Sequence, residues 1–277
     1  MSFRTYAEVT GDDRSRLGEQ VDAQRRRVRD RLSSVTRVVA IMSGKGGVGK
    51  SYVTAAIARG MAARWPRGVG VLDADLSSPT TGRLLEAHGP LAVDDDGVHP
   101  ARGVDGVVVC STDLILEDGA PFAWREPTSE RFVWRGALEA GALREFLADV
   151  VWGELELLLI DLPPGTDRLD DLIELVPALT GAIAVTIPSE ESRRSVERAM
   201  RRAAEAGVRL LGIVENMSGY ACAGCGDIAP LYEGDAGALL ADTFSVPLLY
   251  HLPFMPPAHT DARILEALAA SCEAALP

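Results

Sequence analysis

The residues best suited to chemistry lie in one glycine-rich loop, residues 43–51, which reads Ser-Gly-Lys-Gly-Gly-Val-Gly-Lys-Ser. The loop fits the pattern G-x-x-x-x-G-K-[ST] through Gly44, Gly49, Lys50 and Ser51. In this pattern, backbone N–H groups and a helix N-terminus provide positive partial charge for phosphates. Lys50 is spaced to reach the β- and γ-phosphates, and the Ser51 hydroxyl is spaced to bind Mg²⁺. The loop therefore predicts a site for a nucleoside triphosphate with Mg²⁺.

Lysine usage points to the same loop. Of the 28 basic residues only Lys45 and Lys50 are lysines, and both lie within residues 43–51. A compact ammonium group fits a crowded phosphate pocket in which a planar guanidinium would not fit. We interpret both lysines as phosphate-contacting residues, and a general bias toward arginine is the weaker explanation.

Regular elements on both sides position this loop. The apolar run at 37–42 predicts a strand that leads into it, and residues 52–65 predict the helix that follows, ended by Pro66 and Gly68. Further strands are predicted at 69–75, 107–110, 155–160, 182–188 and 210–217, a hairpin at 91–100, and helices at 137–150 and 190–206. This alternation predicts an α/β fold, a mostly parallel sheet with helices on both faces.

Acidic residues follow two of the predicted strands. Asp73 and Asp75 end the strand at 69–75, and Asp161 follows the strand at 155–160 in the sequence Asp-Leu-Pro-Pro-Gly-Thr. Ligands of open α/β sheets bind beyond the carboxyl ends of strands. Asp161 before a Pro-Gly turn is what Mg²⁺ coordination and a γ-phosphate sensor require. Two acids that only cap a strand end are the alternative for Asp73 and Asp75.

Composition limits the class of protein. A chain of 277 residues with 47% hydrophobic content can bury a large core, and we expect one α/β domain. The net charge of −12 argues against a general partner of nucleic acid or anionic membrane. The sequence shows neither a transmembrane run nor the apolar region of a signal peptide, and four cysteines do not form a disulfide framework. We expect a cytoplasmic protein.

The first 36 residues differ from the rest in charge. They carry eight arginines against six acids, whereas acids are in excess afterwards. We predict a helical appendage at 1–36 and a domain at 37–277 that carries the phosphate-binding loop. Four apolar residues of the appendage are spaced like one narrow helix face: Leu17, Val21, Val28 and Leu32. The helix either packs on the domain or acts as a partner-binding arm.

The second lysine gives the loop a family resemblance. The pattern K-G-G-x-G-K-[ST], with Lys45 near its start, resembles the deviant Walker A loop of the SIMIBI-class ATPases, which include MinD, ParA and the nitrogenase iron protein. The resemblance implies ATP as the nucleotide and a homodimer in which Lys45 reaches the partner's phosphates. It also implies that Asp75 orients the attacking water. The implied catalytic residues are Lys45, Lys50, Asp75 and Asp161.

A later stretch, residues 215–226, narrows the resemblance. It reads Glu-Asn-Met-Ser-Gly-Tyr-Ala-Cys-Ala-Gly-Cys-Gly. Together with 161–166 and 134–144, it resembles the Mrp/ApbC branch of iron–sulfur carrier ATPases over roughly residues 15–257. Asn216 matches that branch's adenine-contacting asparagine, although a plain turn residue is the alternative. The implied nucleotide contacts are Gly44, Lys45, Gly46, Gly47, Val48, Gly49, Lys50, Ser51, Tyr52 and Asn216.

Cys222 and Cys225, within a predicted insert near 219–233, match the family's cluster-ligating C-x-x-C. Two thiolates are half of a [4Fe–4S] or zinc site, and neither Cys110 in an apolar run nor Cys272 near the C-terminus has a partner at ligand spacing. The simplest completion is a second chain across a two-fold axis. A redox dithiol, a structural zinc or an empty site stay open, because C-x-x-C alone serves all of them.

The sequence departs from the family pattern in three places. Ser-Ser-Pro-Thr at 77–80 replaces Tyr-Gly-Pro-Ser, Asp-Arg at 167–168 replaces Gly-Asp, and Tyr52 replaces a common threonine. We therefore expect slow hydrolysis. The leading hypothesis is an ATP-hydrolysing homodimer that transfers a [4Fe–4S] cluster to apo-proteins, without nucleic-acid or membrane partners. A MinD/ParA-like positioning ATPase and an electron-transfer protein are the rivals.

Overall fold

The computed structural model describes residues 17–114, 141–222, 224–225, 227–254 and 262–277. The strands are β1 (Val35–Met42), β2 (Val69–Asp73), β3 (Ala92–Asp94), β4 (Gly97–His99), β5 (Ala101–Arg102), β6 (Val108–Cys110), β7 (Leu155–Asp161), β8 (Gly181–Thr186), β9 (Leu210–Ala221), β10 (Ile228–Ala229) and β11 (Leu248–Phe254). The α-helices are α1 (Leu17–Leu32), α2 (Lys50–Ala62), α3 (Thr81–Leu84), α4 (residues 141–149), α5 (Asp167–Leu175), α6 (Glu190–Glu205), α7 (Ala236–Phe244) and α8 (Ala262–Ala275). The start of the appendage, most of segment 134–144 and the first residues of the helix predicted at 137–150 lie outside the described residues.

The central sheet is mostly parallel, as predicted. Its order is β10-β9-β8-β1-β7-β2-β6-β5, and β11 also pairs with β9. Among the described strands of this sheet, only β5 and β10 run antiparallel to their neighbours. The predicted hairpin is a separate pair, β3 with β4. The loop-bearing strand β1 therefore lies between two parallel neighbours, β8 and β7.

Helices cover both faces because the crossovers run in opposite directions. The connection from β1 through α2 to β2 moves one way along the sheet, and the connection from β7 through α5 to β8 moves the other way. Right-handed crossovers then place α2 and α5 on opposite faces. Strands covered on both sides consist of continuous buried apolar residues, as in β8, where every residue is buried.

Some element boundaries differ from the predicted ones. β1 begins two residues earlier than the predicted strand, at Val35, and α2 begins at Lys50 instead of Tyr52. β2 ends at Asp73, so Asp75 lies in the following loop. β9 runs on to Ala221 because β10 and β11 pair with its second half. The longer β9 matters most, because it brings one strand from the nucleotide loop to the cysteines.

Helix α1 packs on the domain through the apolar residues Val28 and Leu32 and through several arginines. Val28 is fully buried and belongs to the main core. Arg25 and Arg27 form ion pairs with Glu174 and Asp149, which lie beyond the appendage. These contacts fasten α1 to α5 and to the end of α4. No helix in the described ranges is long and apolar enough to cross a bilayer.

Candidate functional site

The phosphate loop connects β1 to α2 at the carboxyl edge of the sheet. Gly47 and Gly49 have φ angles of 80° and 73°, a left-handed conformation that glycine adopts at little cost. Gly49 is the N-cap residue of α2, so the backbone N–H groups of the first helical turn face the loop. These groups and the helix dipole favour a bound phosphate, as the sequence pattern predicts.

Gly44 is required for a different reason from the glycines later in the loop. A methyl group placed on its Cα would lie 2.1 Å from the carbonyl carbon of Ser195 in α6. By contrast, the nearest group to a methyl on Gly46 would be Pro164, at 3.9 Å. Gly44 therefore allows the close packing of the loop on α6, whereas Gly46 leaves its side of the loop open.

Asp161 is the centre of a buried hydrogen-bond cluster beneath the loop. Lys50 Nζ lies 2.7 Å from Asp161 Oδ1, and Ser51 Oγ donates to Asp161 Oδ2 at 2.5 Å. Thr54 Oγ1 donates to Oδ1 at 2.8 Å. Asp161 is fully buried and Lys50 is 6% exposed. Sequence reasoning missed Thr54, although its place one helical turn after Lys50 puts it on the same helix face.

This cluster has the donor set that Mg²⁺ prefers. The Ser51 hydroxyl and the Asp161 carboxylate already converge within hydrogen-bonding distance, and hard oxygen ligands of this kind suit Mg²⁺. Ser51 and Asp161 would hold the ion, as the sequence predicts. The bound ion would neutralise developing charge on the phosphates.

Asp73 is a second buried acid and anchors the loop after β2. Its carboxylate accepts hydrogen bonds from Thr80 N, Thr81 N and Oγ1, and Ser111 Oγ, at 2.9–3.2 Å. Burial, and then the negative charge of Asp161, raise the pKa of Asp73 to about 6. Asp73 thus stabilises the loop that carries Asp75, and it does not face the cleft itself.

The loop borders a cleft of about 660 Å³. The cleft is lined by Ser43, Lys45, Gly46, Gly47, Val48, Gly49, Lys50, Ser51, Tyr52, Asp75, Ser78, Thr80, Arg83, Leu84 and Pro164. The structure therefore brings Lys45, Asp75 and Tyr52 to one cavity with Lys50 and Ser51. The turn after Asp161 is attached to the phosphate loop, because Gly165 N donates a hydrogen bond to Ser43 O at 3.0 Å.

Asn216 lies behind the loop and not in the cleft wall. Its side chain is 3% exposed, and Nδ2 donates to the carbonyl of Val48 at 2.8 Å. The same nitrogen would lie 2.3 Å from a methyl group on Gly49. Asn216 therefore supports the loop backbone, and its contact with adenine stays a prediction.

The predicted cysteine pair lies where β9 and β10 turn back on each other. Cys222 is partly buried and Cys225 is exposed. Cys222 N donates to Asp227 O at 2.9 Å, which closes the turn. Hydrogen bonds from the backbone N–H groups of Cys225 and Gly224 lower the pKa of Cys222. A thiolate stabilised in this way is a ready metal ligand or nucleophile.

The other two cysteines are unsuited to this chemistry. Burial raises the pKa of Cys110 and of Cys272 to about 12. In the described ranges no cluster of three or more His, Cys, Asp or Glu side chains is arranged to hold a metal ion. One described chain therefore offers two thiols at this turn, and a four-ligand site needs others.

The surface beside the cysteines is apolar. Five exposed hydrophobic residues lie on or next to the strands that form the turn: Tyr220, Ile228, Leu231, Tyr232 and Phe254. The rings of Tyr220 and Phe254 stack at 6.5 Å. Exposed apolar patches of this kind mark contact surfaces for other molecules.

Taken together, the parallel sheet, the glycine-rich loop and the Asp161 cluster define a P-loop nucleotide-binding protein. The family model described as "ParA: NUBPL iron-transfer P-loop NTPase" matches residues 34–271. The chain belongs to this family.

Curated relatives carry related names. An iron-sulfur cluster carrier protein of Saccharolobus solfataricus is 37% identical over 247 residues, which cover 88% of this chain and 80% of that protein. A cytosolic Fe-S cluster assembly factor NUBP1 homolog of Brugia malayi is 37% identical over 242 residues, which cover 82% of this chain and 73% of that protein. The resemblance to iron–sulfur carrier ATPases stated from the sequence is confirmed.

Solved structures agree on the fold. The nucleotide-binding protein of Archaeoglobus fulgidus in complex with ADP has a TM-score of 0.67 and 33% identity, covering 90% of this chain and 91% of its own. The cell division ATPase MinD of Pyrococcus furiosus has a TM-score of 0.56 and 21% identity, covering 87% and 99%. At that identity MinD supports the fold alone.

Proposed function

We propose that this protein is a slow ATPase that acts as a cytoplasmic homodimer and carries a [4Fe–4S] cluster to apo-proteins. The cluster is cargo, held by Cys222 and Cys225 of both subunits. The family, the curated relatives named as cluster carriers or cytosolic assembly factors, and the ADP complex of a similar protein support this proposal.

The nucleotide half rests on the cleft. The Lys50 ammonium faces the β- and γ-phosphates from the start of α2, and the loop N–H groups bind the same phosphates. Asp75 positions the attacking water from the loop that Asp73 anchors. Lys45 lines the same cleft and completes the partner's site in the dimer, as in the family that this chain resembles.

The observation that carries the cargo half is the geometry of the cysteine turn. Cys222 and Cys225 share one tight turn, the pKa of Cys222 is lowered, and Cys225 is exposed while Cys222 is partly buried. A [4Fe–4S] cluster normally takes four thiolates, so a second copy of this turn supplies the missing pair. The adjacent apolar residues, including Tyr220 and Ile228, give that contact an apolar surface.

Anaerobic reconstitution tests the proposal. The reduced protein is incubated with ferrous iron and sulfide, and iron, sulfide and molar mass are then measured on the purified product. We expect about four iron and four sulfide per dimer, with a charge-transfer absorption band. Replacement of either turn thiol, Cys222→Ser or Cys225→Ser, should abolish both the cluster and the cluster-dependent dimer.

Cys272→Ala is the matched control, since it removes a buried thiol far from the turn in sequence and should keep the cluster. Stoichiometric zinc without iron in the wild-type protein, or a complete cluster on a monomer, would overturn the shared-cluster proposal. An independent titration with a fluorescent ATP analogue tests the nucleotide half. The absence of binding there would refute the ATPase assignment.

A further inference from the structure

Strand β9 (Leu210–Ala221) carries residues of both candidate sites. Asn216 lies in its middle and holds the phosphate loop, while Cys222 follows its last residue. Cys222 lies six positions after Asn216, a span of at most about 20 Å in an extended strand. One continuous backbone therefore runs from the nucleotide loop to the thiols.

The loop end of this connection is sterically tight. Asn216 Nδ2 holds Val48 O at 2.8 Å, and it occupies the space in which a side chain on Gly49 would lie. The Met217 Cε methyl lies 3.6 Å from the same point. A change in the backbone of the loop at Val48 and Gly49 would therefore press on Asn216, Met217 or both.

The strand is irregular immediately after this contact. Met217 has φ 55°, a left-handed conformation that is unusual for a residue with a side chain. Leu252 of β11 pairs with Asn216, and Phe254 pairs with Tyr220. Between these two pairs β9 advances by four residues while β11 advances by two, so β9 contains two extra residues here. A bulge with strained backbone thus separates the loop contact from the cysteine turn.

Regular pairing resumes beyond the bulge. Tyr220 pairs with both Phe254 and Ala229, and Cys222 N is bonded to Asp227 O. The cysteine turn is therefore fixed to the far half of β9. A rearrangement at the bulge would move that half and the turn together.

We propose that Met217 is a positioning residue that couples the phosphate loop to the accessibility of the Cys222 and Cys225 thiols. This inference rests on the proposed function, and it adds a path within one subunit. When the phosphate loop adjusts around a nucleotide, it shifts Asn216 and Met217. The backbone of the bulge then changes conformation, and the cysteine turn moves with the far half of β9. If the nucleotide also changes the affinity of the thiols for a metal, linkage requires metal on the thiols to change nucleotide affinity by the same factor.

The test uses the full-length, metal-free, reduced protein. Alkylation of Cys222 and Cys225 by iodoacetamide is followed by mass spectrometry with and without a non-hydrolysable ATP analogue and Mg²⁺. We expect the analogue to change the alkylation rate about fivefold or more in the wild type, the lower range of common coupling factors. In Met217→Gly the ratio should fall to within about twofold of unity. If the substitution only perturbed the structure near the thiols, the alkylation rates with and without the analogue would both change, and their ratio would keep its wild-type value.

Met217→Asn provides a second variant, because asparagine accepts a left-handed backbone but does not reach Gly49. In Met217→Asn the ratio of the alkylation rates with and without the analogue should fall toward unity, as in Met217→Gly. Ser245→Gly is the matched control: it relieves another left-handed residue, with φ 53°, after α7 and should keep the wild-type ratio.

Two results would overturn the inference. The first is that both Met217 variants keep the wild-type ratio of alkylation rates. The second is that the wild-type protein binds the analogue but is alkylated at the same rate with and without it. Either result leaves the proposed function standing if reconstitution gives the shared cluster. Failure of the wild type to bind the analogue at all would refute the proposed ATPase, and this inference with it.

Discussion

The nucleotide cleft and the cysteine turn are built in opposite ways. Under the cleft, Asp161 is fully buried and accepts three side-chain hydrogen bonds from α2. At the turn, Cys225 is exposed and the neighbouring Ile228 is 61% exposed. The side chains around Asp161 are held by buried hydrogen bonds, whereas the cysteine turn is held by the strands at one edge of the sheet.

The difference follows from what each site has to do. Stabilising charge on a phosphate requires donors that are in place before the reaction, and burial strengthens their field. A cargo site must instead admit and release its metal, and low burial with few side-chain contacts permits this. The centre of the sheet can provide the first property, and its edge can provide the second.

Thiol reactivity should show the largest contrast. With a pKa of about 12, Cys110 and Cys272 hold far less thiolate at neutral pH than an ordinary thiol, and burial blocks reagents as well. In native, metal-free protein we expect Cys222 and Cys225 to react with iodoacetamide at least ~10³ times faster. Peptide mass spectrometry over time measures this. Fast labelling of Cys272 would show that the C-terminal helix opens readily.

Substitution of Lys50 should have the next largest effect. Lys50→Ala removes the charge that faces the β- and γ-phosphates, and kcat/KM for ATP should fall by about 10² or more. Lys50→Arg should fail as well, since a guanidinium does not fit the buried position beside Asp161. Steady-state phosphate release measures both. The exposed Arg67, which lies between α2 and β2 and lines a small pocket with the first residues of β1, serves as the control, and Arg67→Ala should stay within about twofold.

A pair of glycine substitutions compares the packing of the two regions. Gly44→Ala places a methyl 2.1 Å from the Ser195 backbone, so α6 must shift, and we expect a loss of roughly 1–3 kcal/mol in the free energy of unfolding. In Gly224→Ala the nearest group is Cys222 Sγ at 3.9 Å, and the change should be within about 0.5 kcal/mol. Urea unfolding measures both values. Equal losses would contradict the contrast between a tight cleft and a loose turn.

The sequence was sufficient for local chemistry. The loop pattern predicted Lys50 and Ser51, and the acid after a buried strand predicted Asp161. The structure places these three side chains within hydrogen-bonding distance, because residues close in sequence or at the ends of parallel strands meet at one edge of the sheet. The alternation of apolar runs and amphipathic stretches was sufficient for the parallel sheet. In each case the signal lies within a few residues or in a regular period.

Contacts between distant segments were decided by the tertiary structure alone. No local pattern shows that Gly44 packs against Ser195, or that Asn216 holds Val48 across 168 residues of sequence. The bulge at Met217 also depends on pairing with β11, which the residues of β9 cannot specify by themselves. The sequence by itself determined which groups could bind phosphate and metal. Their connection through β9 required the fold, since only long-range packing brings the loop, the strand and its partner together.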